Sequence, residues 1–168
     1  MVLHSNKWSC WNIYPISVDT FTSPLVGFEP FTFTSSFMDS SYLLKLLSFD
    51  ASKSNEGTIE KLSDIIKKSS FIIINIGLID FDNLIKIDET NNILIYDEEM
   101  LYQKSEIFYS NLKNIITHIY KYNKSIDLYV KKISYHYYIN NDNLLTFYSL
   151  VNENIQEIVT KQGGNLVF

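Results

Sequence analysis

At 168 residues the chain has the length of one domain, able to bury roughly 70% of the surface its unfolded form exposes, and its 46% apolar and 20% charged residues exclude a disordered chain. The fourteen basic residues are all Lys, and with a net charge of −5 the chain lacks the cationic surface and the arginine forks of a nucleic-acid binder. Cys10 is the only cysteine, which excludes an internal disulfide.

Residues 1–39 hold all three prolines, both tryptophans and the cysteine, and show no helical period. They read as an irregular N-terminal region with short strands, one at Thr32 to Phe37 and an edge strand from Trp11 to Val18. No apolar run in the first thirty residues has the length of a signal peptide, and Phe71 to Ile79 is too short to span a bilayer. The expectation is a cytoplasmic protein without a membrane span.

From Ser40 the pattern changes. Ser41 to Leu47 reads as a short helix, and Thr58 to Lys68 as a second with Ile59, Leu62, Ile65 and Ile66 on one face. Ser70 to Ile76 is an apolar, β-branched run, expected to be a strand buried on both faces. Leu84 to Asp88 and Ile93 to Asp97 read as a β-hairpin insertion near 84–97. Asp97 is placed to cap a helix reaching about Tyr122, with Leu101, Phe108, Leu112, Ile115, Ile116 and Ile119 at three- and four-residue steps. Ile126 to Ile133 is the next strand. A helix over about 143–162 follows, striped by Leu144, Tyr148, Val151, Ile155 and Ile158, and Gly163-Gly164 stops it before a last strand at 165–168. Strand, helix, strand, helix, strand with right-handed crossovers predicts a single α/β domain, a three-layer sandwich around a mainly parallel sheet. Ligands of such sheets bind beyond the carboxyl ends of the strands, which directs attention to 77–82 and 134–142.

The run Phe71-Ile72-Ile73-Ile74-Asn75-Ile76-Gly77-Leu78-Ile79-Asp80 resembles the third conserved block of the SGNH (GDSL-type) hydrolases, an apolar strand ending in Gly-x-Asn-Asp. Asn55-Glu56-Gly57-Thr58 is similar to the second block, and the order of elements up to Val151-Asn152-Glu153-Asn154-Ile155 is similar as well. The resemblance covers about residues 41–168. It implies an oxyanion region near Gly57, Gly77 and Ile79, with Gly57 donating a backbone N–H. Departures set its reach. Ile79 stands where the family's oxyanion-donating Asn would be, a loss worth about 10² to 10³ in rate. Only Met38-Asp39-Ser40 answers to the Gly-Asp-Ser block, and the terminal Asp-x-x-His would fall beyond Phe168, as in a truncated member.

Each candidate has a plain alternative. Ser40 is a nucleophile only with a histidine in reach; the reading preferred for it is a helix N-cap. Asp80 and Asp82 at the end of a strand suggest a cation site or an orienting acid, and are read as solvated loop residues; no metal and no cofactor is expected. His136, among Tyr135, Tyr137 and Tyr138, is the best available base and is read as a packed histidine. His118 and His4 show no partner. These tyrosines, with Trp8, Trp11 and Tyr14, suggest a protein or carbohydrate contact, or simple core filling. The expectation is an SGNH-like domain that has lost ester hydrolysis and serves as a binding or structural unit. The alternatives are an acyl-ester hydrolase built on Ser40, His136 and Asp80, and an unrelated flavodoxin-like binding domain.

Overall fold

The computed structural model of the chain describes residues 2–4, 7–9, 17–22, 31–34, 39–48, 57–88, 93–134 and 141–167. Among the described residues four strands precede the first helix: β1 (Val2–His4) pairs antiparallel with β2 (Lys7–Ser9), and β3 (Ser17–Thr22) pairs antiparallel with β4 (Phe31–Thr34). β3 and β4 overlap the expected strands at Trp11 to Val18 and Thr32 to Phe37 only in part; residues 11–16 and 35–37 lie outside those described. Helices α1 (Ser40–Ser48) and α2 (Gly57–Lys68) follow, then β5 (Ser69–Asn75) and a five-residue helix α3 (Leu78–Asp82). The hairpin is present as β6 (Lys86–Asp88) and β7 (Ile93–Ile95), with Lys86 opposite Ile95. The remainder is α4 (Glu98–Tyr122), β8 (Asp127–Lys131), α5 (Asp142–Lys161) and β9 (Asn165–Val167).

The fold is mixed α/β. Its main sheet runs β4-β3-β5-β8-β9, and the three strands β5, β8 and β9 are parallel, with Ile72 opposite Leu128 and Val130 opposite Leu166. Each parallel strand is added on the same side of the last, so two right-handed crossovers carry α4 and α5 onto one face of the sheet. The two helices pack on each other there.

That face is the core. Ile72, Ile74, Leu128 and Val130 point into it and meet Phe108, Leu112, Ile115 and Ile116 of α4 and Tyr148, Val151 and Ile155 of α5, all buried. Phe71, Ile73 and Asn75 alternate with the core residues of β5 and are only half-buried, as are Tyr129 and Lys131 of β8. This corrects the expectation of a strand buried on both faces: the run Phe71 to Ile76 is apolar but for Asn75, and the two-residue period of a strand puts alternate side chains in unlike surroundings.

Helix ends follow their caps. The Asp97 carboxylate accepts the Met100 N–H at 3.1 Å, and the Asn141 side chain accepts that of Leu144 at 3.0 Å. At the other end of α5, Gly163 takes φ +81° and the Gly164 N–H returns to the Val159 carbonyl at 2.9 Å, closing the helix as a glycine does. The exit of β8 is held by Asn152 of α5, whose amide accepts the Ile133 N–H at 2.8 Å and donates to the Ile133 carbonyl at 3.1 Å. A buried side chain thus replaces a strand partner for both backbone groups of Ile133.

Ile133 in turn lies against Gly77, which links β5 to α3 at φ +109°. A Cβ placed on Gly77 would stand 2.5 Å from Ile133 Cδ1 and 3.0 Å from Phe108 Cζ. Strain and overlap act together, so Gly77→Ala is expected to destabilise the fold by about 2 to 4 kcal/mol. Gly163→Ala, where nothing lies within 4 Å of the added carbon, is expected to cost only about 1 kcal/mol. Denaturant midpoints of the two variants check the order; equal losses would contradict the packing at Gly77.

Candidate functional site

The site is built where β5 ends. Gly77 turns the chain so sharply that α3 begins at once, and Asp80 on its first turn is carried back beneath the start of α1. Asp80 is 2% exposed and Ser40 0%. The Asp80 carboxylate accepts the Ser40 backbone N–H, at 3.0 Å on Oδ2 and 3.3 Å on Oδ1, and the Ser40 hydroxyl at 2.5 Å on Oδ1. Asn111 of α4 completes the cluster. Its Nδ2 donates to Ser40 Oγ and to Ser41 Oγ, each at 3.0 Å.

Three expectations are corrected here. Asp80 is no solvated loop residue: the segment after β5 is helical, and the acid between Ile79 and Phe81 faces inward, while Asp82 alone is exposed. Nor does Ser40 cap its helix. Asp39 does, accepting the Tyr42 N–H at 2.8 Å, and Ser40 is the first helical residue with its side chain turned to Asp80. His118 has a partner as well, since its Nε2 lies 3.2 Å from Ser48 Oγ. That contact and the Tyr122 hydroxyl donating to the Leu47 carbonyl at 2.9 Å tie the far end of α1 to α4.

The structure therefore brings Ser40 and Asp80 together. His136, with Tyr135, Tyr137 and Tyr138, lies outside the described residues. Gly57 opens α2, Gly77 is buried, and Ile79 is half-buried on α3, its carbonyl accepting from Asn83 Nδ2 at 3.3 Å. Among the described residues no group of three His, Cys, Asp or Glu comes together as a metal site requires, and no helix is long and apolar enough to cross a membrane.

Sequence reasoning did not single out Asn111 or Asn152. Both were detectable as polar residues on the apolar stripes of their helices, Asn111 three residues after Phe108 and Asn152 three before Ile155. A polar side chain at such a position is at least half-buried, as Asn111 is, or buried, as Asn152 is, and needs a partner.

Chemically, Ser40 gives its one proton to a carboxylate and accepts from an amide. Burial pushes the Asp80 carboxyl up from 3.8 to about 6; the Ser40 hydrogen bonds and, more weakly, Lys104 oppose that rise, and Asp39 adds to it. No family model matches the chain, and no curated protein matches it either.

The raised value fixes a sign. The folded chain holds the Asp80 proton more tightly than the unfolded chain, so its contribution to stability is complete below about pH 4 and is lost as pH rises through about 6. A shift of this size corresponds to about 2 to 3 kcal/mol. The stability of the wild type relative to Asp80→Asn should fall by that amount between pH 4 and pH 7 in denaturant titrations. Parallel pH profiles for the two proteins would contradict the burial of an ionisable group at position 80.

Proposed function

We propose that the chain is an SGNH-hydrolase-like domain in which the serine and acid have become a structural tie, and that it works as a binding or structural unit without ester hydrolysis. The observation that carries this reading is the state of Ser40. Its hydroxyl has no accessible surface and its proton is committed to Asp80. A nucleophile needs an open approach for the carbonyl and a base that can take its proton and pass it on. Among the described residues only Asp80 and Asn111 hydrogen-bond that hydroxyl.

The resemblance to the family draws support from position. Ser40 lies at the first turn of α1, beside the segment that leaves the carboxyl end of β5, which is where α/β sheets place their chemistry. Ile79 stands at the place of an amide donor and carries none. On this reading the sheet is the middle layer of a three-layer sandwich. The half-buried apolar side chains Phe71, Ile73 and Tyr129 on the face away from α4 and α5 favour a covering layer there.

The second reading, an acyl-ester hydrolase, rests on the same 2.5 Å contact between Ser40 and Asp80, taken as a nucleophile held by its acid. One pair of measurements separates them. With a short acyl ester such as p-nitrophenyl acetate, turnover should not exceed the uncatalysed rate. Ser40→Ala should meanwhile lower stability by about 1.5 to 3 kcal/mol, the range for a hydrogen bond to a charged group. Turnover that disappears in Ser40→Ala would overturn the proposal in favour of the hydrolase.

A further inference from the structure

A cleft of about 190 Å³ opens between the first turns of α4 and α5, lined by Tyr96, Glu98, Tyr102, Asn143 and Phe147 among others. Both helices start on the carboxyl side of the parallel sheet, so the cleft lies on the edge where α/β sheets receive ligands. It is separate from the Ser40 cluster and does not depend on the fate of that serine.

The lining has a specific chemistry. Phe147 is packed in place by edge-to-face contacts with Phe81 and Tyr148, and Tyr102 meets it at 86° with ring centroids 5.6 Å apart. Tyr96 is fixed from the other side by its hydroxyl, which donates to the Asn141 side chain at 3.2 Å. Glu98 brings a carboxylate to this aromatic group, oriented by the Asn143 amide at 3.2 Å. Tyr102 is 48% exposed, so one aromatic wall is open to solvent.

Charge selects the ligand. The positive ends of α4 and α5 are already met by the caps Asp97 and Asn141 and by the first-turn acids Glu98, Glu99 and Asp142. Among the described residues no lysine lines the cleft, which disfavours an anion. We infer that this cleft binds a small organic ammonium ion, its methylated nitrogen against the tyrosine and phenylalanine rings and its charge facing Glu98. Aromatic rings attract such a cation through their negative faces, and the volume is below the roughly 300 to 1,000 Å³ of drug-sized ligands and suited to a head group.

The test is a titration of the folded chain with choline chloride, followed by amide shifts in NMR. Its neutral carbon isostere, 3,3-dimethylbutan-1-ol, and glucose are run beside it. Choline should perturb residues around Tyr102 and Phe147, and the isostere should bind at least about fivefold more weakly. Glu98→Gln and Tyr102→Leu, both at exposed positions, should each weaken choline by about threefold or more while the chain still unfolds cooperatively. Vesicles of phosphatidylcholine present the same group on a surface. Co-sedimentation that Glu98→Gln weakens would assign the lipid as its source, and shifts without co-sedimentation would assign the free cation. No choline shifts at the cleft, equal binding of the isostere, binding of glucose in its place, or choline binding indifferent to both substitutions would each overturn the inference.

Discussion

A buried carboxylate whose hydrogen bonds, among the described residues, come from Ser40 and not from a cation sets the terms for the rest of this structure. Asp80 has given up hydration, which costs several kcal/mol unless other groups replace water. The replacements are the Ser40 N–H and the Ser40 hydroxyl, both from the first residue of α1. The two donors together do not fully offset burial, as the carboxyl's rise to about 6 indicates. Both donors come from α1, so the acid keeps them only while α1 is docked.

The geometry of that tie is transmitted from elsewhere in the core. Asn152 occupies both backbone groups of Ile133, Ile133 presses on Gly77, and Gly77 can turn at φ +109° only because it has no Cβ. The turn decides where α3 starts and hence where Asp80 points. Asn111 reaches from α4 to the same serine, so the helix that forms the first crossover also closes the cluster. A polar network of this kind, with each member partnered, fixes one arrangement of otherwise interchangeable apolar surfaces.

Regular elements were legible because their signal is periodic. The apolar steps from Leu101 to Ile119 and from Leu144 to Ile158 gave α4 and α5, Asp97 gave a cap, and the β-branched run gave β5 and its parallel neighbours. The cluster at Ser40 was legible only as a set of residue types. In Asp39-Ser40-Ser41 three polar residues stand in a row, and a shift of one position decides which is the cap and which turns inward. Asp80 and Asp82 looked alike in the sequence. What separates them is the turn at Gly77, a tertiary effect that places the first against α1 and the second in solvent. The alternation of burial along β5 was missed for a related reason, since an unbroken apolar run does not reveal which face the helices cover.

Serine and acid in contact at the carboxyl edge of a sheet can be a reactive pair or a tie, and burial of the hydroxyl supports the proposed tie. Here the hydroxyl is enclosed and donates to Asp80. The most direct measurement of that claim is a double-mutant cycle on Ser40→Ala and Asp80→Ala, read as unfolding free energies at pH 7. The account predicts a coupling of about 1.5 to 3 kcal/mol, because each partner is worth most while the other is present. Additive losses, with a coupling below about 0.5 kcal/mol, would mean that the serine and the acid do not hold the fold together.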